Sequence, residues 1–136
     1  CLRYASLNGI KFQPPKTLPF NSLYALRMSL KKSCGIGQFK VIDGLFRLGW
    51  ERGEDLGNEN VIVEELNLLG IDGLKLLEMV GNREIREELK QNVSMALSNG
   101  VFGVPTFMVR GEMFWGNDSI PHLVLFLNGS DPLDRG

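Results

Sequence analysis

Between Asn21 and about Asn99 the apolar residues recur three and four apart, the spacing of helices that bury one face. The clearest run is Ile85, Leu89, Val93 and Ala96, with Arg83, Glu87, Glu88, Lys90 and Gln91 on the other side and Asn99-Gly100 as a stop. Four shorter helices are expected before it. The first is capped by Asn21 or Ser22, carries Leu23, Leu26, Met28 and Leu30, and ends in Lys31-Lys32. Cys34-Gly35-Ile36-Gly37 breaks the chain before a second helix carrying Phe39, Ile42, Phe46 and Trp50, stopped near Gly53. Asp55 to Asn58 is a loop. A third helix covers residues 60–69, and a fourth covers 73–80 with Asp72 as its cap.

The two ends read differently. Residues 2–7 suit the tail of a helix, closed by Asn8-Gly9. Ile10-Lys11-Phe12-Gln13 alternates apolar and polar, as a half-buried strand does, and Pro14-Pro15 ends it. Thr106-Phe107-Met108-Val109 and Met113-Phe114-Trp115 flank Arg110-Gly111-Glu112, which predicts a hairpin. A closing helix runs from Ser119 to about Leu127, with Pro121 in its first turn, where a missing N–H does no harm. The order is strand, helical block, hairpin, helix. That is α+β, or α/β with a helical insertion, on a small sheet of two or three strands.

Composition narrows the functions. The chain has 136 residues, 43% hydrophobic and 23% charged, which suits one folded domain and excludes a disordered one. Fifteen Lys plus Arg against sixteen Asp plus Glu leave a net charge of −1, so there is no basic surplus to neutralise a run of phosphates, and nucleic acid is not an expected partner. Its apolar stretches are far shorter than the roughly 20 residues of a membrane-spanning helix. The two cysteines, Cys1 and Cys34, are far apart and form no CxxC, which excludes a disulfide framework and a two-cysteine redox motif within this chain. With one histidine, they cannot build a structural zinc site of the usual kind. The first residues carry neither signal nor transit peptide, so the expected location is cytoplasmic.

The candidate chemistry sits in Gly100-Val101-Phe102-Gly103-Val104-Pro105-Thr106-Phe107. A proline after two glycines and before a strand is a candidate cis bond. It would turn the Val104 N–H and C=O outward, where a bound peptide-like ligand can pair with them as one more strand would. A trans proline opening the strand is the plainer alternative, because few X–Pro bonds are cis. Asn117 and Asp118 can simply cap the last helix, and Asn21 can cap its own. Phe46, Trp50, Phe114 and Trp115 are read as core. Arg27 and Arg47 can face a carboxylate, though structural or solvated pairing is the commoner fate. His122 is read as a surface or packing residue, and Cys34 is given no role.

Gly-Val-Phe-Gly-Val-Pro-Thr-Phe (100–107), followed by Phe114-Trp115-Gly116-Asn117-Asp118, resembles the C-terminal signature of the DsbA-like thioredoxin superfamily. Within it the chain is most similar to the 2-hydroxychromene-2-carboxylate isomerases, relatives of kappa-class glutathione transferases. Pro19-Phe20-Asn21-Ser22-Leu23, Ala25-Leu26-Arg27, Leu45-Phe46-Arg47, Trp50, Gly53 and Asp55 carry the likeness across most of residues 9–128. The resemblance implies an α/β thioredoxin-like fold lacking its first strand and helix, with an all-helical insertion. The implied parts are a remnant of the N-terminal half (1–20), the insertion (21–99), the C-terminal half (100–128) and a tail (129–136). It implies glutathione as cofactor, bound by Val104, Asn117 and Asp118 beside a cis Pro105, with Asn21 facing substrate. One end of that tripeptide would have both charges matched, its carboxylate at free helix N–H groups and its ammonium at Asp118.

The implied activity is glutathione-dependent cis-trans isomerisation of a small aromatic-derived carboxylic acid, or a kappa-like transferase reaction. The family's activating serine belongs on a first strand–helix turn upstream of Cys1. Ser6, Ser22 and Ser29 do not stand in that context, so no catalytic residue is assigned in this chain. Without that turn, full activity is not expected, and two sheet edges stay open, to be filled by the absent half or by a partner in a homodimer or strand swap. The alternatives are a DsbA-type thiol–disulfide oxidoreductase, which needs a CxxC upstream, and a non-catalytic peptide-binding module on the same scaffold.

Overall fold

A computed structural model describes residues 1–133. The end of the expected tail, 134–136, lies outside the described residues. The chain divides into two compact units, residues 1–91 and from Asn92 onward.

The first unit is helical. Helix α1 (Leu2–Leu7) stops at Asn8, and Gly9 takes the left-handed φ of 64° that ends helices. Helices α2 (Leu23–Met28), α3 (Lys31–Cys34), α4 (Gln38–Phe46), α5 (Glu59–Leu68) and α6 (Gly73–Met79) follow, and α7 (Arg83–Ser98) runs on past the unit boundary. Met28, Val41, Leu45, Ile62, Leu66 and Leu76 form the heart of the core. Two caps are as expected from local chemistry: Asn58 accepts from Asn60 N–H, and Asp72 from Lys75 N–H at 3.0 Å.

Three expectations are corrected here. The first expected helix does not reach Lys31-Lys32. Leu30 is extended (ψ 143°), because the carbonyls that would continue the helix are taken elsewhere: Ser29 O by the Gln38 amide at 3.0 Å and Arg27 O by the Ser33 hydroxyl at 2.7 Å. The second helix loosens after Phe46 into a π-turn over Arg47–Glu51, closed by Arg52 N–H on Arg47 O at 3.1 Å. Ile10–Gln13 is not a strand. Alternation needs a neighbouring strand to become a ladder. Here Gln13 N–H goes to Trp50 O at 2.6 Å, and Phe12 stacks on the Trp50 ring at 6.0 Å between centroids. The segment is tied to the end of a helix.

The second unit holds the sheet. Strands β1 (Thr106–Val109) and β2 (Glu112–Trp115) pair antiparallel, Thr106 opposite Trp115 and Val109 opposite Glu112. The two-residue turn has φ of 50° at Arg110 and 88° at Gly111, the left-handed pair that such hairpins require. A single 3₁₀ turn (Asn117–Ser119) leads into α8 (Ile120–Leu127), whose Pro121 lies in the first turn.

Candidate functional site

The open end of the hairpin is where the sequence placed the chemistry. Thr106 is the first residue of β1, so Gly103, Val104 and Pro105 lie just outside the ladder. The Val104–Pro105 peptide bond is cis, as is Leu18–Pro19. Val104 is 88% exposed. Its own N–H and C=O make no hydrogen bond among the described residues. The residues on either side are held. Gly103 O accepts the Thr106 hydroxyl at 2.6 Å, and Pro105 O accepts Gly116 N–H at 2.9 Å. The Trp115 indole presents its Nε1 edge to Gly103, so a Cβ there would come within 2.6 Å of Nε1. Phe102 packs on the other part of that ring, with centroids 5.0 Å apart.

The bond from Gly116 to Pro105 also places the acidic residue. Gly116 has φ of 87°, and a Cβ on it would meet Asp118 Oδ1 at 2.6 Å. The carboxylate therefore folds back over Gly116, the same residue that holds Pro105. Asn117 and Asp118 are exposed, and neither side chain is hydrogen-bonded among the described residues. They do not cap α8: the residue ahead of that helix is Ser119, whose hydroxyl donates to Gly116 O at 2.8 Å. The capping alternative for these two residues is thereby corrected. An unpaired main-chain donor and acceptor and an unpaired carboxylate stand on segments joined by one hydrogen bond.

Asn21 belongs to the first unit. Its side chain accepts from Leu23 N–H at 3.1 Å, the first N–H of α2, while the N-cap position itself falls to Ser22. Arg27 donates from one terminal nitrogen to Val80 O at 3.4 Å while its Nε is buried without a partner among the described residues, and Arg47 pairs with Asp43 at 3.0 Å. His122 is exposed on α8. Cys34 donates its thiol to Leu30 O at 3.0 Å; burial pushes the thiol pKa above its ordinary value, Glu88 adds to that, and backbone hydrogen bonding opposes it.

Two of the aromatic residues read as core are not. Phe46 is 63% exposed and Trp115 51%. Phe46 and the half-buried Trp50 line an apolar cavity of about 300 Å³ in the first unit, together with Phe20, Leu26 and Leu56. Helical spacing identifies a face, and a face can border a cavity as well as a core. Thr106, Gly116 and the Gly103–Trp115 contact went unassigned in the sequence. The signal for Thr106 was present: a hydroxyl three residues after a glycine in a turn-rich stretch is within reach of that glycine's carbonyl.

Comparison with known proteins bears on this geometry. The DSBA-like thioredoxin domain family matches residues 2–128. The chain belongs to that family. A curated relative, the 2-hydroxychromene-2-carboxylate isomerase of Sphingobium xenophagum, is 31% identical over 78 residues, which are 57% of this chain and 40% of that protein. A solved structure of a 2-hydroxychromene-2-carboxylate isomerase superimposes with a TM-score of 0.81 at 25% identity, covering 94% of this chain and 62% of the other. The chain thus spans less than two thirds of each isomerase, 40% of the curated relative and 62% of the solved structure. The α/β thioredoxin-like fold with a helical insertion stands on this family match and this superposition. Among the described residues no helix is long and apolar enough to cross a membrane.

Proposed function

We propose that the protein acts as a glutathione-dependent isomerase of the 2-hydroxychromene-2-carboxylate type. Two relatives carrying that name support the reaction class. What supports the cofactor is the bond from Gly116 N–H to Pro105 O, which brings a free main-chain donor and acceptor at Val104 and a free carboxylate at Asp118 to one end of the hairpin.

Those groups fit glutathione. A tripeptide offers an extended main chain to pair with Val104 N–H and C=O, in the manner of an added strand. Its γ-glutamyl end carries an ammonium, which matches Asp118. When bound, glutathione supplies a sulfur nucleophile for reversible addition to an unsaturated, aromatic-derived acid. The role of this chain's residues is to hold and orient. Val104 fixes the direction of the ligand backbone, Asp118 fixes the charged end, and Asn117 offers an amide beside it. In this reading the reaction needs no histidine, and His122 takes no part.

Calorimetric titration of the intact protein with glutathione tests the reading. Saturable binding is expected, weakened about three- to tenfold by Asp118→Asn, the size of an exposed charge-assisted pair. Loss of a cis-trans isomerisation of a hydroxychromene carboxylate on omitting glutathione is the matching activity result. No binding, or equal binding by Asp118→Asn, contradicts the proposal.

A further inference from the structure

Val104 is the one residue of the 103–105 bend whose carbonyl is left free, and the pattern around it is specific. Gly103 O is taken by the Thr106 hydroxyl at 2.6 Å. Pro105 O is taken by Gly116 N–H at 2.9 Å. A three-residue stretch outside a ladder would ordinarily lose its shape to water and thermal motion, because each residue gains conformational entropy when released. This one is pinned on both sides of the exposed residue. The pins are unequal in kind. The Gly116 bond is main chain to main chain and continues the hairpin. The Trp115 indole, packed on Gly103, also meets the largely exposed Phe102 ring in a tilted contact. The Thr106 hydroxyl is a side-chain atom bonded within the bend, reaching back three residues to the carbonyl next to Val104.

We infer that Thr106 is a positioning residue: its hydroxyl fixes the bend from which Val104 presents a free N–H and C=O to an extended ligand. The inference rests on the glutathione reading for the ligand's identity. It goes further in naming what keeps the Val104 main chain in a binding shape before the ligand arrives. Preorganisation of this kind lowers the cost of ordering on binding and shows in affinity. A purely structural hydroxyl would instead show in stability.

Thr106→Val keeps the shape and β-branching and removes the hydroxyl, whereas Thr106→Ser keeps the hydroxyl. In the intact protein, Thr106→Val is expected to weaken glutathione binding about five- to twentyfold while melting within a few degrees of the parent, and Thr106→Ser to bind within about twofold of it. The amide spectrum supplies a readout that needs no ligand. Phe102, Gly103 and Val104 are expected to give single sharp amide resonances in the parent and in Thr106→Ser, and broadened or doubled ones in Thr106→Val. Absence of binding by the parent refutes the glutathione reading, and the amide spectra then decide the role of Thr106 alone. Parent-like amide resonances in Thr106→Val, affinity unchanged in it, or equal loss in Thr106→Ser, overturns the inference.

Discussion

At the scale of single residues, what separates binding groups from structural ones is whether their hydrogen-bonding capacity is already used. Asn21, Asp72 and Asn58 are spent on helix N–H groups. Asp118 is not, though it has the same chemistry and stands ahead of a helix. Cys34 shows the other use of burial. Its raised thiol pKa, caused first by desolvation, keeps the thiolate scarce at neutral pH. The sign follows: an acid whose folded pKa is raised stays protonated further up the pH scale. Alkylation of Cys34 by iodoacetamide is therefore expected to be slow at pH 7 and to climb about tenfold per pH unit until that raised pKa is reached. Peptide mapping of a pH series checks it; rapid modification at pH 7 contradicts it. Glu65 is the buried carboxylate of the first unit, 7% exposed, and it pairs with Arg52. Arg52→Ala is expected to cost about 1–3 kcal/mol by leaving that group unpaired. Arg83→Ala, which breaks the exposed pair with Glu87, is expected to cost under about 0.5 kcal/mol. Equal denaturation midpoints for the two variants would contradict the distinction.

At the scale of elements, local chemistry was legible and shared hydrogen bonds were not. The α6 cap, the hairpin and the α5 and α7 spans depend on residues within a few positions of one another, so their signals survive in the sequence, although the turn is Arg110-Gly111 alone and Glu112, expected in it, pairs with Val109 as the first residue of β2. The break at Leu30 depends on Gln38 reaching Ser29 O, and the non-strand at Ile10–Gln13 depends on a helix carbonyl at Trp50. Neither partner is visible in a local pattern. The site divides the same way. Val104, Pro105 and Asp118 could be named from their motif, and the local bond from Thr106 to Gly103 O left a readable signal, whereas Gly116 emerges once the hairpin brings residues 103–106 against 115–118. Core packing follows helix faces in the first unit but not along α7, where Ile85 is buried and Val93 of the same expected face is 55% exposed; Met28 and Ile62 are fully buried, and truncating either to Ala is expected to cost about 2–5 kcal/mol in chemical denaturation, while Leu74→Ala on the exposed face of α6 is expected to cost far less.

At the scale of the whole molecule, burial is shared unequally. The first unit contains a core built from four helices, whereas in the second Leu123 is the buried apolar side chain among the described residues. Exposure free energies follow burial. In native-state hydrogen exchange of this chain, amides of α4 and α5 are expected to be the most protected and those of β1 and β2 to exchange much sooner. The site rests on the less buried unit, which is why a single hydroxyl at Thr106 can matter there. The central claim is that main-chain groups at Val104 and the carboxylate of Asp118 receive one small thiol peptide together. An amide-detected magnetic resonance titration of the intact protein with reduced glutathione tests it most directly. The account predicts saturable shifts led by Val104, Gly116 and Asp118, with one dissociation constant shared by all three. Shifts centred elsewhere, or none at millimolar ligand, would contradict it.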